Sequence, residues 1–461
     1  MVADTTFQKE SNPIIMPSII FFLLIVMAHM LFVPMNDDVA KAPIFLSLGF
    51  ADNLYFWFTT QHFRLSAMFF MWLFTLQGWI WFLIANTAVW MILYFFITKT
   101  FIENNNDKKA HWFCMFAILC FPMAHFASAG HMATSLGYLW PTSFALVAGF
   151  GIKKSLQGRA ISLWEYPIYF CSLFIALNAE QMAGYMFGLL AFLQGYYFFT
   201  NKKINVYLLL QLFFSLIMLA LHFHVLRNVG RIDSDVNIWF YSFAMYGFIE
   251  RVQFGYAYTL SHFLLNRNWV FLVFSGLVYT AVHVQHSDRV YRTIAVVPLA
   301  LSTMFSIFSE LLNKPVLSYL SGFGHPLIRG FGHAAPQVVN IFNYDRVNNY
   351  LLLVLLGIVL VCVFVSLYLC FSDKPHLALV CIAIVSLGLA TGFILGFTAT
   401  IWASAERVFT FAYFSFIVCS VLVFQRVCSL NFKHELRLLS GVGVLGLTLF
   451  FLYWAGLVVS G

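Results

Sequence analysis

Two adjacent carboxylates follow the first apolar run of this 461-residue chain, in the stretch LFVPMNDDVAKAP at 31–43. Only 9% of the residues are charged, so an acidic pair in this place is conspicuous. If Asp37 and Asp38 have different environments, one can be the general base for an attacking hydroxyl while the other orients a partner or a metal. The pair therefore predicts a catalytic site, with a divalent metal (Mg²⁺ or Mn²⁺) left open. The competing interpretation is a solvated helix end.

A third carboxylate, Glu180, lies in LNAEQMAG at 177–184 with apolar sequence on both sides. An acidic side chain at membrane depth is costly and faces a cavity or a partner rather than lipid. Glu180 is therefore the reserve candidate for the base. Its neighbour Gln181 is a candidate substrate contact.

Two arginines are candidates for binding a phosphate. Arg64 lies in TTQHFRLS, and Arg407 lies in WASAERVFTF beside Glu406. A guanidinium binds phosphate oxygens through two parallel hydrogen bonds. His62 could donate to the same anion. The alternatives are arginines that anchor helices at the membrane surface, and an ion pair between Arg407 and Glu406.

The stretch SAGHMATSLGYLWPTS at 128–143 predicts a turn between two spans that approaches a ligand. It has no Lys or Arg, and His131 is a candidate contact for the donor phosphate. Tyr138 and Trp140 offer flat faces suited to sugar rings. Aromatic residues also anchor ordinary helices at the membrane interface, and that alternative stays open.

The composition places the chain in the membrane. Hydrophobic residues make up 62% of it and aromatic residues 19%, whereas soluble domains carry roughly 25% charged residues. The net charge of +7 then reflects membrane topology, and no nucleic-acid partner is expected. The eight cysteines lack CxxC spacing and are interpreted as packing residues.

A membrane-spanning helix needs about 20 apolar residues, and the chain contains about thirteen such runs. They predict an all-α polytopic membrane protein, a single integral-membrane domain over residues 1–461. Residues 1–200 would form the catalytic core, and 201–461 would add further helices. The runs begin near Ile14, Ser66, Trp112, Leu136, Trp164, Ala183, Val206, Trp269, Ile294, Asn349, His376, Val408 and Leu438.

Three long loops, at about 36–65, 228–267 and 313–348, are predicted on the outer side. FADNLYFWFTTQHF and VNIWFYSFAMYGFIERVQF, within the first two, predict amphipathic helices at the membrane interface. The motif GFGH occurs twice in the third loop, which is interpreted as flexible. The intramembrane histidines His125, His222 and His224 are interpreted as core residues.

At these positions the chain resembles the bacterial integral-membrane glucosyltransferases of the serotype-converting (GtrII-like) type. The acidic pair after the first span, the arginine before the second, the run into YLWP and the glutamate-bearing turn carry the resemblance. It covers mostly the first 185 residues, with Arg407 in addition. These enzymes are similar in turn to polyprenyl-phosphate-dependent glycosyltransferases of the C-type fold.

The resemblance implies transfer of a sugar, expected to be glucose, from a polyprenyl-phosphate donor to a glycan acceptor. The product would be an O-antigen of lipopolysaccharide or another cell-envelope glycan, made on the outer face of a bacterial inner membrane. One of Asp37 and Asp38 would be the base, and Arg64 and Arg407 would contact the donor phosphate.

Two alternatives remain. A polysaccharide polymerase with diphosphate-linked donors would share the loops and arginines but would not need the acidic pair. A transporter or flippase for lipid-linked oligosaccharides would place charges midway along helices and show internal repeats.

The distribution of Lys and Arg predicts a cytoplasmic N-terminus, since cytoplasmic loops are enriched in both. Lys108, Lys153, Lys202 and Arg437 are then cytoplasmic, and Asp38, His131 and Gly461 are extracytoplasmic. The test is to place single cysteines at these positions and add a membrane-impermeant labelling reagent from outside. It should label the extracytoplasmic positions and not the cytoplasmic ones. Labelling of position 153 from outside, with position 131 protected, would reverse the topology.

Overall fold

The computed structural model describes residues 13–60, 64–104, 106–226, 235–312, 347–401, 403–404 and 406–460. Throughout these ranges the regular structure is helical. The α-helices used below are α1 (Ile15–His29), α2 (Asp37–Ser47), α3 (Phe50–Thr60), α4 (Leu65–Gln77), α5 (Trp79–Phe101), α6 (Lys108–Leu119), α7 (His131–Thr134), α8 (Trp140–Leu156), α9 (Glu165–Leu177), α10 (Glu180–Asn201), α11 (Val206–Leu226), α12 (Phe248–Leu264), α13 (Trp269–Gln285), α14 (Arg289–Leu312), α15 (Val347–Cys370), α16 (Pro375–Phe393), α17 (Thr410–Ser429) and α18 (Glu435–Ser460). Shorter 3₁₀ and π-helical turns lie at Met123–Ala127, Ser135–Leu139, Tyr241–Met245, Ile394–Phe397 and Glu406–Phe409.

Within the described ranges, 8 helical segments are long and apolar enough to cross a membrane, judged by length and composition. The count rises to 9 if α12 and α13, which meet at 74°, form one broken span. This confirms an all-helical polytopic membrane protein, but not thirteen spans. The eight segments are Trp79–Phe101, His131–Leu156, Val206–His224, Arg289–Phe308, Leu353–Cys370, Pro375–Phe397, Glu406–Ser429 and Glu435–Gly456.

Several predicted spans are shorter than a membrane is thick. The helices found near Ile14, Trp112 and Trp164 have 15, 12 and 13 residues, fewer than the roughly 20 that a span needs. The apolar run from Ser66 is divided at Gly78, whose φ of 102° is a conformation that suits glycine. An apolar run thus overstates the length of a helix wherever the backbone turns inside it.

The turn predicted over residues 128–143 occupies only residues 128–130 in the structure. The chain becomes helical again at His131 and continues through the π-helical Ser135–Leu139 into α8. The predicted helix start near Leu136 is therefore five residues late. Small residues such as those at 133–137 are compatible with a turn, but here they allow close packing of a helix.

The three predicted outer loops differ in outcome. The first contains two short helices, α2 and α3. In the second, the stretch 236–254 was expected to lie at the interface, and it combines exposed side chains such as Ile238 and Phe248 with buried ones such as Phe240 and Phe254. Its place at the interface stays a prediction. The third, at 313–348, lies outside the described residues apart from the first two residues of α15, and so do both GFGH motifs.

Helix α17 is the centre of the bundle. Of the 18-residue window that makes it a candidate span, 89% is buried inside the protein, against 22% for α18. Residues from Phe411 to Phe424 are buried without interruption, so apolar side chains cover all sides of the helix. A helix that is apolar all round is expected in the core of a large bundle. α17 also carries the 3₁₀ turn Glu406–Phe409 at its start, which brings that turn to the site described below.

Two glycines allow α12 to cross the end of α16. A Cβ on Gly255 would lie 1.9 Å from the carbonyl oxygen of Phe393. A Cβ on Gly396 would lie 2.0 Å from the carbonyl oxygen of Arg251. Both obstacles are backbone atoms, which cannot rotate away. Small residues are the usual means by which membrane helices approach this closely.

We expect Gly255→Ala to lower the thermal unfolding midpoint of the detergent-purified protein, since forcing atoms into a packed contact costs about 1–3 kcal/mol. Gly149→Ala is the matched control, because a Cβ there meets no atom within 4 Å. It should leave the midpoint unchanged or raise it, since alanine favours a helix by up to about 1 kcal/mol. Equal midpoints for both variants would contradict the close crossing.

Candidate functional site

One segment, Met123–Trp140, contacts most of the predicted site residues, and we call it the hub segment. It begins as a 3₁₀ helix, turns at 128–130 and resumes as α7. Helix α2, helix α4 and the Glu406–Phe409 turn all pack against it. Residues that are far apart in the sequence therefore meet at one end of the bundle.

The Asp38 carboxylate is held by backbone amides of the hub segment. Its Oδ1 accepts a hydrogen bond from the Ala133 amide at 2.8 Å, and its Oδ2 accepts one from the Met132 amide at 3.2 Å. A third amide, that of Met35, lies 3.5 Å from Oδ2. The first amides of a helix have no partner within the helix, and here Asp38 supplies it. The side chain is almost fully buried as a result, with the residue 3% exposed.

Gly130 allows the start of α2 to approach the hub segment. Its φ is 104°, and a Cβ would lie 2.6 Å from Asp38 Cγ and 2.5 Å from the Met35 carbonyl oxygen. The Asp37 amide donates to the Ala129 carbonyl at 3.1 Å. The small residues of the sequence motif thus serve to admit a carboxylate of the protein itself.

Burial raises the pKa of Asp38 from its ordinary 3.8 to about 6. The amides of Ala133, Met132 and Met35 lower this pKa and the neighbouring charge of Asp37 raises it, but burial has the largest effect. A general base is most effective when its pKa lies near the working pH. The surroundings of Asp38 therefore suit it to accept a proton near neutral pH.

Asp37 has a different environment. Its side chain is 45% exposed and pairs with Lys41 Nζ at 2.9 Å, one turn along the same helix. The acidic pair is thus divided into a buried carboxylate and an exposed, ion-paired one. In the part of the chain that the structure describes, no group of three or more His, Cys, Asp or Glu residues could hold a metal ion. The metal expectation stays a prediction.

Arg407 reaches the hub segment close to Asp38. Its Nη1 lies 3.5 Å from the hydroxyl oxygen of Ser128, four residues before the amide of Met132 that binds Asp38. Among the described residues, no carboxylate is within ion-pair distance of Arg407. Glu406, the partner considered from the sequence, contacts His125 Nε2 at 2.6 Å instead. Arg407 is therefore available to an anion at the segment that also holds Asp38.

Arg64 and Glu180, both predicted site residues, are partners. Arg64 Nε donates to Glu180 Oε2 at 2.8 Å, and Nη2 donates to Oε1 at 2.6 Å. The side chain of Tyr138 also hydrogen-bonds to Arg64. A Cβ on Gly137 would lie 3.7 Å from Arg64 Nη1, so the guanidinium lies against the hub segment. This bidentate pair uses two of the five N–H donors of Arg64 and both carboxylate oxygens of Glu180.

The aromatic residues predicted to bind sugar are buried. Tyr138 is 6% exposed and packs against Phe411 of α17. Trp140 is 5% exposed, and its indole N–H donates to Asn86 Oδ1 at 3.1 Å. Neither ring presents an open face in this conformation, so both lie behind the site rather than at its mouth.

The other candidates also have places in the fold. His131 is buried with its ring stacked on Phe32, 3.9 Å between centroids. Among the described residues, its Nδ1 has no hydrogen-bond partner. Gln181 donates to the carbonyl of Thr391 at 2.8 Å and so ties α10 to α16. His62 lies outside the described residues.

Sequence reasoning missed a polar network behind Trp140. His29 Nδ1 lies 2.6 Å from the Thr87 hydroxyl, and His29 Nε2 lies 3.0 Å from Asn86 Nδ2. The sequence signal was present as an Asn–Thr pair inside the apolar run WFLIANTAVW. What could not be foreseen is that α1 places a histidine opposite it.

Comparisons of the chain with protein-family models, with curated protein sequences and with solved structures each found no match.

Asp38 should make the folded protein less stable as pH rises from about 4 to 6. Its pKa is higher in the folded state, so within this window the unfolded state binds fewer protons. The difference between about 6 and 3.8 corresponds to about 3 kcal/mol. The measurement is the thermal midpoint against pH for the wild type and Asp38→Asn. The thermal midpoint of the variant should lack this fall between about pH 4 and 6. Parallel curves for the two proteins would show that folding does not raise the pKa of Asp38.

Proposed function

We propose that this protein is a membrane glycosyltransferase that moves a sugar from a polyprenyl-phosphate donor to a glycan acceptor. The observation that carries the proposal is the buried Asp38 carboxylate, with a pKa of about 6, which is held by the same segment that Arg407 contacts. Such a transfer needs a base and a cation at one site. Nothing in the proposal depends on a bound metal.

The reaction assigns one role to each group. The acceptor hydroxyl attacks the anomeric carbon, and Asp38 takes the hydroxyl proton as the new carbon–oxygen bond forms. The bond from that carbon to the phosphate oxygen breaks, and the electron pair leaves with polyprenyl phosphate. Arg407 stabilises the negative charge that collects on this phosphate. Asp38 is proposed as the base in preference to Asp37, because Asp38 is buried at the hub segment, whereas Asp37 is exposed and paired with Lys41.

Arg64 and Glu180 take supporting roles in this proposal. Their mutual hydrogen bonds fix the start of α4 against the start of α10, and Tyr138 joins them to the hub segment. Breaking a partly buried pair of this kind leaves a charge without its partner. Arg64 can still offer Nη1 to a phosphate, but Glu180 is a weaker candidate for the base than Asp38.

The setting of the reaction follows from the resemblance and the charge distribution. The donor lipid would lie among the apolar helices, with its phosphate at the level of the hub segment. The site would face the outer side of a bacterial inner membrane, with glucose as the expected sugar and an O-antigen or another envelope glycan as the acceptor.

We expect Asp38→Asn to lower sugar transfer by about 10²–10⁴-fold, because the amide keeps the shape of the side chain but cannot accept the proton. The assay is transfer from a polyprenyl-phosphate sugar in membranes that contain equal amounts of each variant. In the wild type, kcat/KM should rise through about pH 6 as Asp38 loses its proton. Asp373→Asn is the control, since Asp373 is an exposed carboxylate that pairs with Arg426, near the end of α17 opposite the Glu406–Phe409 turn.

Three outcomes would redirect the assignment. Full activity in Asp38→Asn with none in Glu180→Gln would make Glu180 the base. Activity with diphosphate-linked donors alone would favour the polymerase. Transport of a lipid-linked oligosaccharide across the membrane with no new glycosidic bond would favour the flippase.

A further inference from the structure

A second group of polar residues lies beside the turn that carries Arg407, and the reaction above assigns it no role. The carboxylate of the preceding residue, Glu406, lies 2.6 Å from His125 Nε2. The Glu406 side chain is 59% exposed, whereas that of His125 is 8% exposed. A surface carboxylate is thus fixed to a buried imidazole of the hub segment.

Arg407 contacts the hydroxyl of Ser128, and His125 binds both Ser128 and Glu406, the neighbour of Arg407. Its ring binds Glu406, the residue before Arg407 in the chain. Its carbonyl oxygen accepts a hydrogen bond from the Ser128 hydroxyl at 2.8 Å, and that hydroxyl is the one that Arg407 Nη1 approaches at 3.5 Å. One residue therefore sets the position of the cation and of the oxygen beside it.

The ring of His125 is supported in turn by Tyr413. The two ring centroids are 5.5 Å apart, at a steep angle. The Tyr413 hydroxyl lies 2.8 Å from His262 Nε2 and accepts a hydrogen bond from Asn268 Nδ2 at 3.1 Å. Asn268 caps the start of α13, directly after the 74° bend. A series of contacts thus runs from the helix bend through Tyr413, His125 and Glu406 to Arg407.

The same cluster also fixes the other end of the turn that carries Arg407. The ring of His262 stacks on that of Phe409, with 4.1 Å between centroids. The turn Glu406–Phe409 is therefore held at its first residue by His125 and at its last by His262. A long arginine side chain on a turn held at both ends starts from a restricted position, which reduces the ordering needed when a ligand binds.

We propose that Glu406 and His125 are positioning residues for Arg407, and that they set the affinity for the phosphate of the donor lipid. This inference rests on the proposed function, in which Arg407 binds that phosphate. Neither residue touches the reacting atoms. Their effect should appear in donor binding and, through Arg407, in the stabilisation of the leaving phosphate, but not in the proton transfer to Asp38.

The first test is Glu406→Gln, which keeps the size of the side chain but removes its charge. We expect the Kd for a short-chain polyprenyl phosphate, measured on purified full-length protein, to rise about tenfold, as for a lost hydrogen bond to a charged group. The donor KM should rise with it, and kcat should fall by less than in Asp38→Asn, since Asp38 is untouched. Tyr413→Phe should raise Kd by less, since it keeps the ring that packs against His125 and removes only the hydroxyl contacts with His262 and Asn268.

The decisive test is a double-mutant cycle with Arg407→Lys. If Glu406 acts through Arg407, adding Glu406→Gln to Arg407→Lys should not weaken binding further. An equal additional loss in both backgrounds would overturn the inference, as would a fall in kcat with an unchanged Kd. Asp373→Asn is the control, and it should leave Kd unchanged.

The two proposals fail in different ways. A wild-type protein that binds polyprenyl phosphate but transfers no sugar would remove the glycosyltransferase assignment. The binding cycle would still decide whether Glu406 and His125 position Arg407. A wild-type protein that does not bind polyprenyl phosphate would overturn both.

Discussion

The site depends on a contact between one carboxylate and the main chain of the hub segment. Asp38 joins the start of α2 to the start of α7 through two amides within 3.2 Å. The same contact removes the carboxylate from water and raises its pKa. Structural and chemical roles therefore coincide in this residue. The group that closes the loop after α1 is also the one suited to accept a proton.

Two of the charged pairs in this protein join residues that are far apart in the sequence. Arg64 and Glu180 are 116 residues apart and form two hydrogen bonds. Glu406 and His125 join the two halves of the chain in the same way. Because each side chain would be costly to bury alone, every such pair also fixes the helices that carry it. The predicted catalytic half, residues 1–200, is therefore completed by a turn from the other half.

The class of the protein could be predicted from composition, because a chain with 9% charged residues has too little polar surface for a soluble fold. The site residues could be selected for a related reason: a charged residue beside an apolar run must have a partner or a cavity. Their pairing could not be predicted, since nothing local in TTQHFRLS or LNAEQMAG indicates that Arg64 and Glu180 face each other. His125 was taken for a lone core residue because its partner, Glu406, lies 281 positions later. Thirteen spans are not confirmed in the described residues, in part for a geometric reason, because hydropathy does not register a turn such as the one at Gly78.

The contact at Asp38 also has a consequence for how this site can vary. Met132 and Ala133 contribute through their amides, so their side chains can be exchanged without loss of the hydrogen bonds. Proline is excluded at both positions, because it has no N–H to donate. Gly130 is restricted for the separate reason that a Cβ would meet Asp38. Across diverging sequences, such a site would be recognised by one aspartate, one glycine and the absence of proline at these two positions.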